Sequence, residues 1–379
     1  MKVIHLLKTT VGASWAVKLL REQVALGIEV HVVLPDSTGN AKLYKANGCK
    51  VHLYDIDIAI TKPWLNISKI FKLRKLIQSL SPDVVHSHFV STTLIMRASM
   101  VGFSIPKIFQ VPGPLHLEHT FFSKLDVFSS SKADYWIGSC KWTVNKYLSL
   151  GIAKEKVYLS YYGTDVDEFV SKDPVNLREE IGLSDNVITI GMVAYMYPPK
   201  YFLGQSRGLK GHEDLIDAVA IVKKSHSNIH LIFVGGEWGN SIRYKYEIES
   251  YGRTKLSDNV TFLGNRRDVL NLYPSINIAA FPSHSENVGG AVESLLMNVP
   301  TITSDVGGFP DLIMQQHTGI TVPAKDPQKL ASAIIFYMEN MKQARVEANE
   351  GMKLARELFD VKKTANETFQ IYKKILKTG

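Results

Sequence analysis

Short apolar runs recur along the chain at intervals that leave room for one helix between each pair. In the first half they are Val3 to Leu7, Glu29 to Leu34, Lys50 to Tyr54, Asp83 to His86, Lys107 to Val111 and Tyr135 to Gly138. Each has the length of a strand and is mostly apolar, as expected of strands covered on both faces. The segments between them include Ser14 to Leu26, ended by Gly27, and Ser68 to Leu80, stopped by Ser81 and Pro82. This alternation predicts βαβ units and a parallel sheet. It then starts again, with strands at Val187 to Val193, Ile229 to Val234, Asn259 to Leu263, Ile276 to Phe281 and Pro300 to Ser304. Helices are predicted at about His212 to Ser225, Ser241 to Thr254, Gly290 to Met297 and Pro327 to Asn340. The polar, acidic stretch Asp165 to Asp185, with Pro174, is the candidate linker. A last amphipathic segment, Arg356 to Leu376, has no strand after it to cover and is expected to cross back onto the first domain.

The predicted fold is therefore α/β, with two Rossmann-like, doubly wound domains facing a central cleft. The expected domains are residues 1–165 and 166–355, with the helix of about 356–379 on the first. A length of 379 residues fits two ordinary cores better than one. Open α/β sheets bind ligands outside the carboxyl ends of their strands, so the chemistry belongs in strand-to-helix loops.

Composition narrows the class. No run of eighteen uninterrupted apolar residues suggests a membrane span. The opening Met1 to Lys8 reads as a core strand rather than a signal peptide, so a cytoplasmic location is expected. Cys49 and Cys140 are far apart, without a nearby histidine cluster, and read as packed thiols. Residues 1–172 carry 21 Lys and Arg against 13 Asp and Glu, whereas the remainder carries 23 against 23. The whole formal excess of +8 thus lies in the first half, which favours a polyanionic or anionic-surface partner there.

The most informative segment runs from Phe281 to Leu296. A strand ends at Phe281, a loop carries Glu286, Gly289 and Gly290 open a helix, and Glu293 lies about one turn inside it. Free amides at a helix start form an anion site, so Asn287, Val288, Gly289 and Gly290 are candidates to cradle a diphosphate. Carboxylates on either side are placed to accept hydrogen bonds from hydroxyls, Glu286 from a sugar and Glu293 from a ribose. Arg207-Gly208-Leu209-Lys210-Gly211-His212 forms a second loop before a helix. A leaving diphosphate develops charge as its bond breaks, and a fixed cation stabilises that charge most at the transition state, which singles out Lys210. Gly307-Gly308 supports the same site from a third loop.

These residues resemble the donor domain of family 4 glycosyltransferases, retaining enzymes of GT-B fold. The resemblance runs through Gly191, Lys210-Gly211-His212, Phe233-Val234-Gly235, Val260 to Gly264, Pro282 to Glu293, Val306-Gly307-Gly308 and Val322-Pro323. It implies that Glu286 contacts the donor sugar, Glu293 the ribose and Lys210 the diphosphate. It also makes 1–165 the acceptor domain and 166–355 the nucleotide-sugar donor domain. Three departures stand out. Six residues rather than seven separate the glutamates, Ala194-Tyr195-Met196 stands where Gly-Arg-Leu is common, and Tyr161-Tyr162 precedes Gly163 where Asn is usual. Arg207 is the expected substitute for the missing phosphate-binding Arg.

On the acceptor side, Gly12 lies in a loop resembling the family's glycine loop, and His116 resembles its cleft histidine, with His119 in reserve. His86-Ser87-His88 is a similar case. The segment Trp64 to Ile77 pairs apolar positions with four cations. Two readings stay open for it: a helix lying on anionic lipid, or a helix packed on the sheet with a solvated cationic face.

The expected activity is retaining, metal-independent transfer of a sugar from a nucleotide diphosphate, with UDP expected on family frequency. The acceptor is a saccharide or lipid-linked saccharide in polysaccharide or glycoconjugate biosynthesis. No cofactor, metal or nucleic-acid partner is expected. Asp55-Ile56-Asp57 and Asp165-Val166-Asp167 both fit an Asp-x-Asp metal string, but neither falls near the proposed diphosphate site. A sugar-nucleotide 2-epimerase of the same plan and a non-catalytic nucleotide-sugar-binding protein are the alternatives.

Overall fold

A computed structural model describes residues 1–201, 204–315 and 317–378. The chain divides into two compact units, Met1–Asp165 with Leu358–Gly379, and Val166–Glu357.

The first unit holds a seven-stranded parallel sheet. Its strands are β1 (Lys2–Leu6), β2 (Glu29–Leu34), β3 (Lys50–Leu53), β4 (Val84–Ser87), β5 (Lys107–Val111), β6 (Asp134–Gly138) and β7 (Val157–Leu159). They lie in the order β3-β2-β1-β4-β5-β6-β7. Alternate residues of the central strands feed two cores, as the pleat requires. Val3, Val30 and Val32 pack with Leu20, Tyr44, Tyr372 and Ile375. Ile4, Leu6 and Val85 pack with Leu73, Ile77, Ile95 and Met96 on the other side.

The second unit holds six parallel strands: β8 (Ile188–Val193), β9 (Ile229–Val234), β10 (Val260–Phe262), β11 (Ile278–Phe281), β12 (Thr301–Ser304) and β13 (Ile320–Val322). Their order is β10-β9-β8-β11-β12-β13. The short edge strands β7 and β13 are absent from the sequence reading.

Two expectations need correction. The candidate linker is only partly a linker: Leu177 is fully buried in the second unit's core, and the Arg178 guanidinium donates to Val187 O and Asn277 Oδ1, both at 2.8 Å. The last amphipathic segment is not one helix. Met341–Phe359 and Val361–Thr378 meet at Asp360, where Val361 N donates to Thr164 O. The second of these helices packs against Ser14–Ala25, and Gln23 Nε2 donates to its buried Tyr372 hydroxyl.

Candidate functional site

In each sheet the strand order reverses once, between β1 and β4 and between β8 and β11. Loops that leave such a switch point part to opposite sides and open a crevice. In the second unit the loop after β8 carries Lys210 and the loop after β11 carries Glu286.

These two loops are interlocked. His284 N donates to Leu209 O at 2.8 Å, and the Ser304 hydroxyl anchors Ser283 O at 2.6 Å. Gly211 has φ +74°, and a Cβ there would stand 2.1 Å from Pro282 O, so the Lys-Gly pair needs its glycine for this close approach. Gly290 is constrained by space rather than by φ: a Cβ would meet the Phe281 ring at 2.6 Å and Val193 O at 2.8 Å. The helix Gly289–Leu296 is thereby seated on the ends of β8 and β11.

The Lys210 ammonium donates to Glu286 Oε2, and Asn287 N donates to Glu286 Oε1 at 3.0 Å. A Cβ on Gly289 would lie 2.8 Å from Glu286 Oε2, so the carboxylate stands over the helix start. Both side chains of the pair are mostly buried. Asn287 Oδ1 is buried with no hydrogen-bond partner among the described residues. Gly308 N, from the loop after β12, approaches Glu286 O at 3.4 Å. Glu293 lies against buried Tyr273, whose hydroxyl is held well above its usual range by burial and then by that carboxylate.

Arg207 does not stand as a free cation. Its guanidinium donates to Asp214 Oδ1 at 2.6 Å and to Asp217 Oδ2 at 2.7 Å. Asp214 in turn bonds His284 Nε2 on the neighbouring loop. Through these ion pairs Arg207 braces the two loops. Asp214 and Asp217 lie one turn apart on the following helix, the one sequence signal that offered Arg207 a local partner.

An aromatic group escaped the sequence reading altogether. Tyr197 stacks on Trp238 with centroids 4.7 Å apart, and Tyr195 meets Trp238 edge-on at 5.5 Å. The Lys210 ammonium lies 5.5 Å from the Tyr197 ring centre. Met196 N donates to Gly236 O and Trp238 N to Met196 O, so the loops after β8 and β9 are zipped together. Tyr195 and Trp238 are both exposed.

In the first unit, Gly12 is exposed in the loop after β1, with φ +72°, and its carbonyl accepts Asn40 Nδ2 at 2.8 Å. His116 is turned toward a buried charge network. Its Nε2 lies 3.5 Å from Asp126 Oδ2 and from the Tyr147 hydroxyl. Asp126 accepts from Arg97, which also donates to Asp134. The carboxylate fixes the orientation of the His116 ring, in the manner of a carboxylate that orients an imidazole. His119 packs on Phe122, and its Nδ1 is buried without a hydrogen-bond partner among the described residues.

His86 and His88 join His5 in a buried cluster whose candidate ligand atoms lie within 4.8 Å of one another. His5 Nδ1 meets His88 Nε2 at 3.0 Å, His88 Nδ1 meets the Tyr162 hydroxyl at 2.9 Å, and His86 Nδ1 meets the Tyr372 hydroxyl at 2.5 Å. Burial holds the His5 imidazole down at about 3, and burial with neighbouring imidazoles holds His86 and His88 well below their usual range. The cluster is a neutral link that ties the C-terminal helix to the β1 and β4 ends. Both Asp-x-Asp strings are engaged in ion pairs: Asp55 with Lys69, Asp165 with Lys18 and Arg21, and Asp167 with Arg356.

Comparison with known proteins accounts for both units. The family model "Glycosyltransferase Family 4" matches residues 12–168, and "Glycosyl transferases group 1" matches 197–353. A D-inositol 3-phosphate glycosyltransferase of Segniliparus rotundus is 25% identical over 57% of this chain and 46% of its own length. The chain thus spans less than half of that relative. The capsular polysaccharide biosynthesis glycosyltransferase CapM of Staphylococcus aureus is 24% identical over 99% of this chain and 98% of its own. Among solved structures, Anabaena Alr3699/HepE in complex with UDP superposes with a TM-score of 0.80 at 19% identity, covering 98% of this chain and 99% of that one.

Proposed function

We infer the activity of this chain from a premise that the matches establish: it belongs to the family 4 glycosyltransferases of GT-B fold. The reading is retaining transfer of a sugar from a nucleotide diphosphate, UDP in the first instance, to a saccharide or lipid-linked saccharide acceptor. The observation that carries it is the Lys210–Glu286 pair, set against the Gly289 helix start at the β8/β11 switch point. A likeness to CapM over nearly the full length of both chains supports polysaccharide assembly as the setting. The UDP in the HepE structure supports uracil as the base of the donor nucleotide.

The steps follow from charge. A diphosphate at the exposed helix amides competes with Glu286 for the Lys210 ammonium, and the freed carboxylate turns to the sugar hydroxyls. As the anomeric carbon parts from the phosphate oxygen, charge grows on the β-phosphate, where Lys210 and the helix dipole meet it. The acceptor oxygen attacks on the face that the leaving group vacates, and its proton passes to the leaving phosphate. No metal is needed for this neutralisation. Arg207, through Asp214 and His284, is a positioning residue, and Tyr195 and Trp238 offer ring faces on which a donor ring can stack. His116, oriented by Asp126, and Gly12 are the acceptor-side candidates.

Incubation with labelled UDP-sugars and acceptor extracts tests the reading. Label moving into saccharide with retained anomeric configuration supports it. Free UDP with epimerised sugar and no acceptor product would overturn it.

A further inference from the structure

Three imidazoles meet on one face of the first sheet. His5 and His86 are directly opposed across the parallel β1/β4 pair. His88 lies two residues beyond His86, and its backbone N–H donates to Leu6 O at 3.3 Å, so the pleat runs one residue past the end of β4. A period of two then puts all three rings on the same side. That side is the core of Val3, Leu7 and Tyr372, and each of the three histidines is 0% exposed.

Hydrogen bonds satisfy these rings only in part. The Tyr162 hydroxyl donates to Gln110 O at 3.0 Å, so His88 Nδ1 is the donor in its 2.9 Å contact with the Tyr162 oxygen. His88 Nε2 is then a lone pair, met by His5 Nδ1 at 3.0 Å. The Tyr372 hydroxyl takes His86 Nδ1, while His86 Nε2 and His5 Nε2 are buried with no hydrogen-bond partner among the described residues. Polar atoms left bare in a core are costly and uncommon.

A metal-ligating imidazole uses one nitrogen and has the other fixed by a hydrogen bond. Tyr162 fixes His88 in this way and Tyr372 fixes His86, and in both rings the nitrogen left over is Nε2. One candidate ligand atom from each of the three rings lies within 4.8 Å of the others. Nitrogens on a tetrahedral zinc stand about 3.4 Å apart, so small ring rotations that release the His5–His88 contact close the set. Burial keeps the imidazoles neutral, the form in which they ligate. All three candidate ligands are nitrogens, which selects a borderline transition ion over Mg²⁺ or Ca²⁺.

We propose that His86 Nε2, His88 Nε2 and one nitrogen of His5 bind a divalent transition ion of the zinc class, which staples β1 and β4 to the C-terminal helix through Tyr372. The ion is structural and belongs to the first unit alone. It takes no part in neutralising the leaving diphosphate, and the proposal does not rest on the sugar-transfer reading. The helix Val361–Thr378 covers the cluster, and its local opening is the way in.

The test equilibrates the chelator-treated full chain with Zn²⁺, Co²⁺ or Mg²⁺ alone. One Zn²⁺ per chain is expected to bind and to raise the melting temperature by about 5–10 °C at a hundredfold excess over its dissociation constant. Co²⁺ should develop the visible absorption of a low-coordinate nitrogen site, and Mg²⁺ should do neither. His86→Gln and His88→Gln should each abolish uptake. Tyr372→Phe keeps all three ligands and should weaken Zn²⁺ by about tenfold, so the site is read even where a histidine variant fails to fold. His31→Gln, which breaks a second histidine pair with His52 at 2.9 Å, should change nothing. No Zn²⁺ uptake by the natural chain, uptake unaltered in folded His88→Gln, or uptake lost in His31→Gln would each overturn the proposal.

Discussion

Lys210 and Glu286 lie 76 positions apart in sequence, yet the ammonium of one is bonded to the carboxylate of the other, directly over the Gly289 helix start. An ion pair this well sheltered holds two opposite charges in register before any ligand arrives. A dianionic leaving group and a polyhydroxylated sugar need those two charges side by side.

Lys210→Ala is expected to lower turnover by about 10²–10³-fold, the cost of removing one preorganised group from a developing anion. Glu286→Ala should fall in the same range, with Glu286→Gln less severe because the amide oxygen still accepts a hydrogen bond from a hydroxyl. Initial rates with labelled donor, alongside unfolding curves that show intact structure, check both.

Arg207→Ala should act through stability more than through donor affinity. It strips a guanidinium from buried Asp214 and from Asp217. A loss of about 1–3 kcal/mol is expected for a partly exposed double ion pair, the upper end reflecting the buried carboxylate left behind. Arg207→Lys should not rescue it, since one ammonium cannot span both carboxylates. A large rise in donor KM with unchanged melting temperature would instead return Arg207 to direct phosphate binding.

Gly211→Ala is expected to destabilise the second unit by about 2–4 kcal/mol, combining a left-handed backbone with a backbone clash at Pro282 O. Chemical denaturation of the full chain, followed for the second unit through Trp238 fluorescence against a Trp238→Phe control, measures it. A neutral result would mean that the two loops are not locked at this point.

The buried histidines set an acid limit. His5 titrates near 3 in the folded chain against 6.5 in an ordinary setting, and His86 and His88 are lowered as well. The unfolded chain therefore takes up protons that the folded chain refuses, so this stability is complete above about 6.5 and declines as pH falls toward 3. Each unit of lowering corresponds to about 1.4 kcal/mol. Melting temperatures across this window should fall steeply for the natural chain and less steeply for His88→Gln. Equal slopes would place the acid sensitivity elsewhere.

Much of the architecture was legible because buried parallel strands announce themselves as apolar runs, and the carboxyl ends of β8 and β11 carried glycines and charges where ligands bind. What escaped was short or remote. The strands β7 and β13 were missed, and the break at Asp360 is hidden inside one continuous amphipathic pattern. The partners of Arg207, the Asp214–His284 link and the Tyr195–Tyr197–Trp238 group depend on loops that meet only once the sheet has formed. His116 read as a histidine at a strand end, and only the fold reveals Asp126 beneath it. On the helix Leu65–Leu80, Leu73 and Ile77 face the core while Trp64, Ile67 and Phe71 are exposed, and a helix apolar on two faces has no single direction in sequence.

Calorimetric titration of UDP and UMP into the natural chain and into Lys210→Ala tests the central claim most directly. The account predicts that the natural chain binds UDP well above UMP, and that Lys210→Ala loses about 10–100-fold for UDP, the cost of a charge-assisted contact to the β-phosphate, while UMP changes little. Equal affinity of both proteins for UDP would contradict it.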